Sequence, residues 1–217
     1  MHKYKRLRNL VVDFGGVYSL GPSPQSIFMA KLDKSQRRES NRIWGKEIKP
    51  VWRQLVKGEV SSYTFWSHLG RTFRIDSFDW RGLEDEWYNG LGINRGLAAL
   101  VARARLKGIT TAMLTNSVRE WFERWRENNS LSEFEYIFTS YELKDRKPEG
   151  SIYRKMLEGM SRGHASAYAT DCLFVDDMPD NIATAHSLGM ETFAYNSGDI
   201  GAANRELEAR MRSFGMI

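Results

Sequence analysis

Asp13 closes the short apolar run "RNLVVDF" and is followed, after Phe14, by two glycines, Gly15 and Gly16. Much further along, "AMLTNS" offers Thr115 and Asn116, "KDRKPEG" offers Lys144 and Lys147, and "CLFVDDMPDN" offers the adjacent pair Asp176 and Asp177. Singly, each has an ordinary explanation. An aspartate before glycines is turn chemistry, and Thr-Asn suits a helix N-cap. Asp180 and Asn181 beside Pro179 suit the same role, and Asp180 is expected to take it. Lys144 is expected to be a solvated surface charge. Together the set matches the needs of phosphoryl transfer: a nucleophilic carboxylate, a hydroxyl and an amide, a lysine, and an acidic pair. A carboxylate attacking a phosphate meets like charge, so a cation is required. The acidic pair can hold Mg²⁺, which takes oxygen ligands in octahedral geometry, positions the substrate and neutralises developing charge. Thr115 and Asn116 can hydrogen-bond phosphoryl oxygens, and a lysine supplies compact positive charge beside them.

These residues converge only if the right elements carry them. Five short apolar segments rich in β-formers read as strands: 8–14, 108–115, 134–140, 172–176 and 190–196. Runs of that kind suit a parallel sheet covered on both faces. Amphipathic stretches lie between them. "NRGLAALVARARLKG" ends on Gly108, "VREWFERWREN" spaces Trp121, Phe122 and Trp125, and "PEGSIYRKMLEGM" and "PDNIATAHSLGM" complete the set. Alternating strands and helices predict an α/β, doubly wound, Rossmann-like parallel sheet. The ends of its first, second and fourth strands then meet at one crevice.

Residues 20–92 break the alternation and read as several helices with no good strand. The expected organisation is a core of residues 1–19 and 93–217, with a small all-helical cap inserted after the first strand. Trp44, Trp52, Phe65, Trp66, Trp80 and Trp87 read as the packing of that unit. Its arginines Arg37, Arg38, Arg71 and Arg74 are candidates for selecting an anionic substrate, although a solvated face explains them equally.

Composition narrows the classes. The chain has 217 residues, is 41% hydrophobic and holds seven Trp, eleven Phe and nine Tyr, enough for a sizeable core. No apolar run approaches membrane-spanning length, and the basic start "MHKYKRLR" lacks the apolar length and cleavage site of a secretory leader. One cysteine, Cys172, excludes an intrachain disulfide and reads as a buried thiol of a reducing compartment. A cytoplasmic location is the expectation. The net charge of +5 raises nucleic acid as a partner. Yet the basic residues are interleaved with acidic ones, as in "SVREWFERWREN" and "NRELEARMRS", so nucleic-acid binding is not expected. His68, His164 and His186 show no partner spacing and read as structural.

Four of these segments, "VVDFGGV", "AMLTNS", "RKPEGSIY" and "CLFVDDMPDNIATAHSLGM", resemble in order and spacing the motifs of the haloacid dehalogenase-like (HAD) hydrolase superfamily, in members with a helical cap after the first motif. The resemblance runs from residue 9 to about residue 195. It implies that Asp13 is the nucleophile of an aspartyl intermediate. Thr115 and Asn116 would bind the phosphoryl group, and Lys147 would hold nucleophile and phosphate together. Mg²⁺ would be held by Asp13, by the backbone carbonyl of Gly15 and by Asp177, with Asp176 as a nearby or supporting carboxylate. A small phosphorylated metabolite is the implied substrate.

One position departs from the pattern. Phosphatases of the superfamily usually carry a second aspartate two residues after the nucleophile, which protonates the leaving alcohol. Here that position is Gly15. Three readings follow: a phosphatase for good leaving groups such as sugar 1-phosphates or acyl phosphates, a dehalogenase, or a weakly active member serving as a binding or regulatory protein. First motifs of the "DFGGV" kind resemble those placed near sugar-phosphate phosphatases. The acidic pair, and the lack of an arginine signature after the first motif, weigh against a dehalogenase.

Overall fold

Five of the short β-forming runs pair as one sheet because each is apolar enough to be covered on both sides. In the computed structural model, which describes residues 6–75, 79–163 and 167–217, the chain begins with β1 (Asn9–Val12) and β2 (Ser19–Leu20). It then forms α1 (Pro24–Lys31), α2 (Lys34–Ile43), a π turn (Trp44–Ile48), α3 (Lys49–Val56), α4 (Ser62–Phe73) and α5 (Trp80–Gly90). Next come β3 (Gly92–Ile93), α6 (Arg95–Leu106), β4 (Thr110–Thr115), α7 (Arg119–Glu127), β5 (Tyr136–Thr139) and α8 (Ser140–Leu143). The last elements are α9 (Gly150–Arg162), β6 (Cys172–Asp176), α10 (Pro179–Ser187), β7 (Glu191–Ala194) and α11 (Ile200–Ser213).

The sheet order is β5-β4-β1-β6-β7 and every pairing is parallel. Side chains alternate between its faces. Leu10, Val12, Met113, Leu173 and Val175 pack with residues of α6, α7 and α11. Val11, Ala112, Leu114 and Phe174 pack with α9 and α10. This is the doubly wound α/β, Rossmann-like fold. Val12 pairs with both Met113 and Val175, so the next residue, Asp13, emerges beside the ends of β4 and β6. The stretch "NRELEARMRS", read as a solvated face, is one side of an amphipathic helix. Ala203, Leu207 and Met211 of α11 are buried against the core.

Helices α1–α5 share a separate apolar cluster built on Phe28, Leu55, Phe65, Trp66 and Leu69, which also takes in Val118 and Trp121 from α7. Where the chain leaves and re-enters the sheet domain, β2 and β3 pair antiparallel, Ser19 with Ile93 and Leu20 with Gly92. The expectation of no strand from residue 20 onward therefore misses this pair. Two residues per strand are too few to show a period of two.

Glu84 ties the helical unit to α7. One of its carboxylate oxygens accepts the indole N–H of Trp66 at 2.6 Å and that of Trp121 at 2.7 Å. Arg124 pairs with Asp85 at 2.7 Å alongside. Glu84→Ala removes the carboxylate that both indole N–H groups share and is expected to cost about 1–3 kcal/mol, read from urea midpoints. A change within about 0.5 kcal/mol would mean that water satisfies both donors. Among the described residues, no helix is long and apolar enough to cross a membrane.

Candidate active site

The turn after β1 shows what each glycine does. The Asp13 N–H donates to the Val175 carbonyl at 2.9 Å, extending the sheet by one residue. Phe14 turns the other way, with its ring edge-on to Phe122 and Trp125. Gly16 has φ +77°, and a Cβ there would lie 2.5 Å from Asp177 Oδ2. It is a glycine for two reasons, left-handed backbone and close approach of a carboxylate. Gly15 is different: nothing lies within 4 Å of where its Cβ would stand. Its carbonyl is left out of the main-chain bonds that close the turn, Gly16 N–H to Ser19 O and Ser19 N–H to Phe14 O. Gly16→Ala is thus expected to destabilise by about 1–2 kcal/mol and to displace Asp177, whereas Gly15→Ala stays within about 0.5 kcal/mol. Denaturation midpoints and Mg²⁺ titrations of both variants check this. Equal behaviour would refute the distinction.

Lys147 is the hub. Its side chain is 1% exposed, and Nζ lies 2.7 Å from Asp13 Oδ1 and 2.6 Å from Asp176 Oδ2. Asp176 is completely buried and fully engaged. It accepts the Met178 N–H at 2.8 Å and the Asn181 side-chain amide at 2.9 and 3.0 Å besides the lysine. Asn181, at the start of α10, thus orients Asp176, a role that its capping reading did not anticipate.

The Asn116 amide is also committed. Its Oδ1 accepts the Lys147 N–H at 2.8 Å and its Nδ2 donates to the Lys147 carbonyl at 2.9 Å. The Asn116 side chain thus positions Lys147, an arrangement that the sequence reading did not anticipate. Thr115, at the end of β4, is buried, and its hydroxyl shares a hydrogen bond with Ser117 at 2.7 Å.

Two capping readings fail. The N-cap of α7 is Val118 and that of α10 is Met178, neither with a side-chain cap. Thr115, Asn116 and Asp180 cap nothing, although Asp180 does stand in the first turn of α10. Lys144 is exposed, on a left-handed residue, with Nζ near the Lys57 and Gly58 carbonyls. His186 is exposed, the His68 ring contacts the Glu47 carbonyl, and His164 lies outside the described residues.

Asp13, Asp176 and Asp177 each offer an oxygen, all within 4.8 Å of one another. Three carboxylates so close resist ionisation together. Burial pushes the Asp13 carboxyl up, to about 7, with the Asp176 and Asp177 charges adding to the rise and the Lys147 ammonium opposing it. Burial, then Asp176, also raises Asp177. For Lys147 burial acts downward, but the two carboxylates outweigh it and hold the ammonium above its ordinary value. A hard divalent cation fits this donor set and would restore the charged carboxylates. Asp13, Asp176 and Asp177 could hold it, and Asp176 is also engaged by Lys147 and Asn181.

A cavity of about 540 Å³ opens over these groups. Its lining includes aromatic side chains: Trp52 and Trp87 from the helical unit, Trp121 and Phe122 from α7, and Phe14. Trp121 lies 5.4 Å from Trp87 and 6.0 Å from Trp52, ring centre to ring centre. Reading these tryptophans as packing alone is incomplete, since they also line the cavity. Arg37, Arg38, Arg71 and Arg74 are not among its lining residues, and Arg37 instead caps carbonyls of Ala30 and Leu32 at 2.8 Å.

The haloacid dehalogenase-like hydrolase family profile matches residues 35–189, a span that contains Thr115, Lys147, Asp176 and Asp177. The chain belongs to this family. It is 26% identical over 152 residues to flavin mononucleotide hydrolase 1 of Arabidopsis thaliana, covering 69% of this chain and 58% of that protein. It is 28% identical over 124 residues to bifunctional epoxide hydrolase 2 of Rattus norvegicus, covering 54% of this chain and 21% of the relative. The chain thus spans under two thirds of either relative. A HAD family enzyme from Bacteroides thetaiotaomicron, solved with magnesium and inorganic phosphate, has the same fold. Its TM-score is 0.69 at 21% identity, covering 88% of this chain and 96% of that one.

Proposed function

We propose that the protein is a Mg²⁺-dependent phosphatase that hydrolyses a small phosphate monoester through an aspartyl-phosphate on Asp13. The observation that carries this is Lys147, buried between Asp13 and Asp176 with Asp177 beside them at the mouth of a cavity. An ammonium held there brings a nucleophilic carboxylate and a phosphoryl group together despite their like charge. The names of two similar proteins support the reading, one a flavin mononucleotide hydrolase and the other crystallised with magnesium and phosphate.

In the first half-reaction an Asp13 oxygen attacks phosphorus and the bond to the leaving oxygen breaks. In the second, water attacks the same phosphorus and releases the Asp13 carboxylate and inorganic phosphate. Lys147 holds Asp13 on the line of attack and balances its charge, and the Thr115 hydroxyl faces the phosphoryl oxygens from the end of β4. Asn116 and Asn181 keep Lys147 and Asp176 in place. When bound, Mg²⁺ supplies positive charge against the phosphoryl oxygens. The substrate is a soluble small molecule, and a cytoplasmic setting suits the buried Cys172 thiol.

Phosphate release from a panel of monoesters, with Mg²⁺ and after full chelation, tests the reading. Chelation is expected to lower turnover by about 10²-fold or more, with recovery on adding Mg²⁺. Turnover of 2-haloacids that survives chelation would replace it with the dehalogenase reading, which Gly15 alone favours because a halide leaves without a proton.

A further inference from the structure

We propose that the substrate is an aryl phosphate: a monoester joined through a phenolic oxygen to a planar ring that carries no second anionic group. This rests on the phosphatase reading and deepens it. Two independent observations meet here.

The first concerns protons. Among the described residues lining the cavity, only Asp13, Lys147 and Asp177 are ionisable. Asp13 is the attacking group, Asp177 is placed for the metal, and the Lys147 ammonium is taken up by two carboxylates. Among the described lining residues, no side chain is left to protonate a leaving oxygen. At Gly15, where an acid would reach it, there is open space. The leaving group must therefore depart as an anion. A phenol ionises near pKa ~10, whereas water, and alcohols like it, do so near ~15.7. When Asp13 attacks, the phosphorus–oxygen bond breaks with its electron pair on the phenolic oxygen, which takes its proton afterwards from solvent.

The second concerns shape and charge. Beyond the carboxylates the cavity is walled by Trp52, Trp87 and Trp121, with Leu20, Leu91 and Ile200 around them. Aromatic rings pair best at centroid separations of ~4.5–7 Å in tilted or offset arrangements, and the half-buried Trp52 and Trp87 line the cavity as candidates for such a pairing. The hydroxyls of Ser19, Ser23 and Ser197 also line the cavity, so the preference for a ring rests on the indoles and on the leaving group. Among the described lining residues Lys147, already doubly paired, is the only cation, so a second phosphate or carboxylate meets no counterion there.

The test separates the two observations. Phosphate release by the full chain with Mg²⁺ is measured on phenyl phosphate, on benzyl phosphate (a ring on a poor leaving group) and on acetyl phosphate (a good leaving group without a ring). Benzyl phosphate is expected to share the phenyl KM within about threefold but to turn over about 10²-fold or more slowly. Acetyl phosphate is expected to need about tenfold higher KM. Trp52→Ala should raise KM for phenyl phosphate and leave that for acetyl phosphate. Gly15→Asp should narrow the phenyl-to-benzyl ratio by about tenfold or more. Equal turnover of phenyl and benzyl phosphate, or equal KM for phenyl and acetyl phosphate, overturns the proposal. If none of the three releases phosphate, the phosphatase reading fails. Quenching of tryptophan fluorescence then decides the ring site alone: phenylphosphonate binding about tenfold tighter than methylphosphonate supports it, and equal binding refutes it.

Discussion

Asp13→Asn is expected to abolish phosphate release, by on the order of 10⁴-fold or more in kcat, while leaving the fold intact. Asparagine keeps the shape of the side chain and an oxygen for the Lys147 ammonium, now 2.7 Å from the carboxylate. It removes the electron pair that attacks phosphorus. It also removes one of three negative charges within 4.8 Å of one another, so the melting temperature should hold or rise. Steady-state release with phenyl phosphate and a thermal melt check both halves. Activity within tenfold of wild type would end the nucleophile assignment. Lost activity with a collapsed melt would show only that Asp13 holds the structure.

Lys147→Met has the largest expected effect on stability. The ammonium is the common partner of Asp13 and Asp176, both buried. Removing one member of a buried ionic set strands the others, at about 3–5 kcal/mol. Turnover should fall by at least about 10²-fold. Adding Asp176→Asn should recover part of the stability and none of the turnover, because the excess negative charge is relieved without restoring a cation at the phosphate. Urea unfolding of the two single variants and the double variant, as a double-mutant cycle, gives the coupling directly. Mg²⁺ should raise the midpoint of Lys147→Met more than that of the wild type. A loss below about 1 kcal/mol would mean that the ion pairs are not holding this part of the molecule.

How far the site was legible from residue order depends on the range of each interaction. Leu10, Val11 and Val12 read as a buried strand because burial on both faces writes itself into consecutive residues. From there the α/β fold and the meeting of Asp13, Thr115, Lys147, Asp176 and Asp177 followed. The roles of neighbours did not. Asn116 and Lys147 are 31 positions apart, and nothing local in "LTNS" distinguishes an amide that grips a distant main chain from one that caps a helix. Asp176 and Asp177 are adjacent and alike, and only the structure shows that the first is turned onto Lys147 and Asn181. Gly15 and Gly16 look interchangeable in "FGGV", yet φ +77° and a carboxylate at 2.5 Å bind only the second. In the sequence, Arg37, Arg38, Arg71 and Arg74 stay open between substrate and solvent for a similar reason: charge shows there, and facing does not. The cavity lining does not include them.

The amide of Asn116 pairs with both main-chain groups of Lys147, donor to acceptor and acceptor to donor, much as a neighbouring strand would. The lysine is therefore indexed to the tip of β4 and not to the segment that carries it. Shifts of the segment around the exposed Glu142 and Lys144 can then be absorbed while the ammonium stays in register with Asp13. Position 116 has no such latitude. One asparagine thus transmits the position of β4 directly to the ammonium, and the segment between them need not carry it.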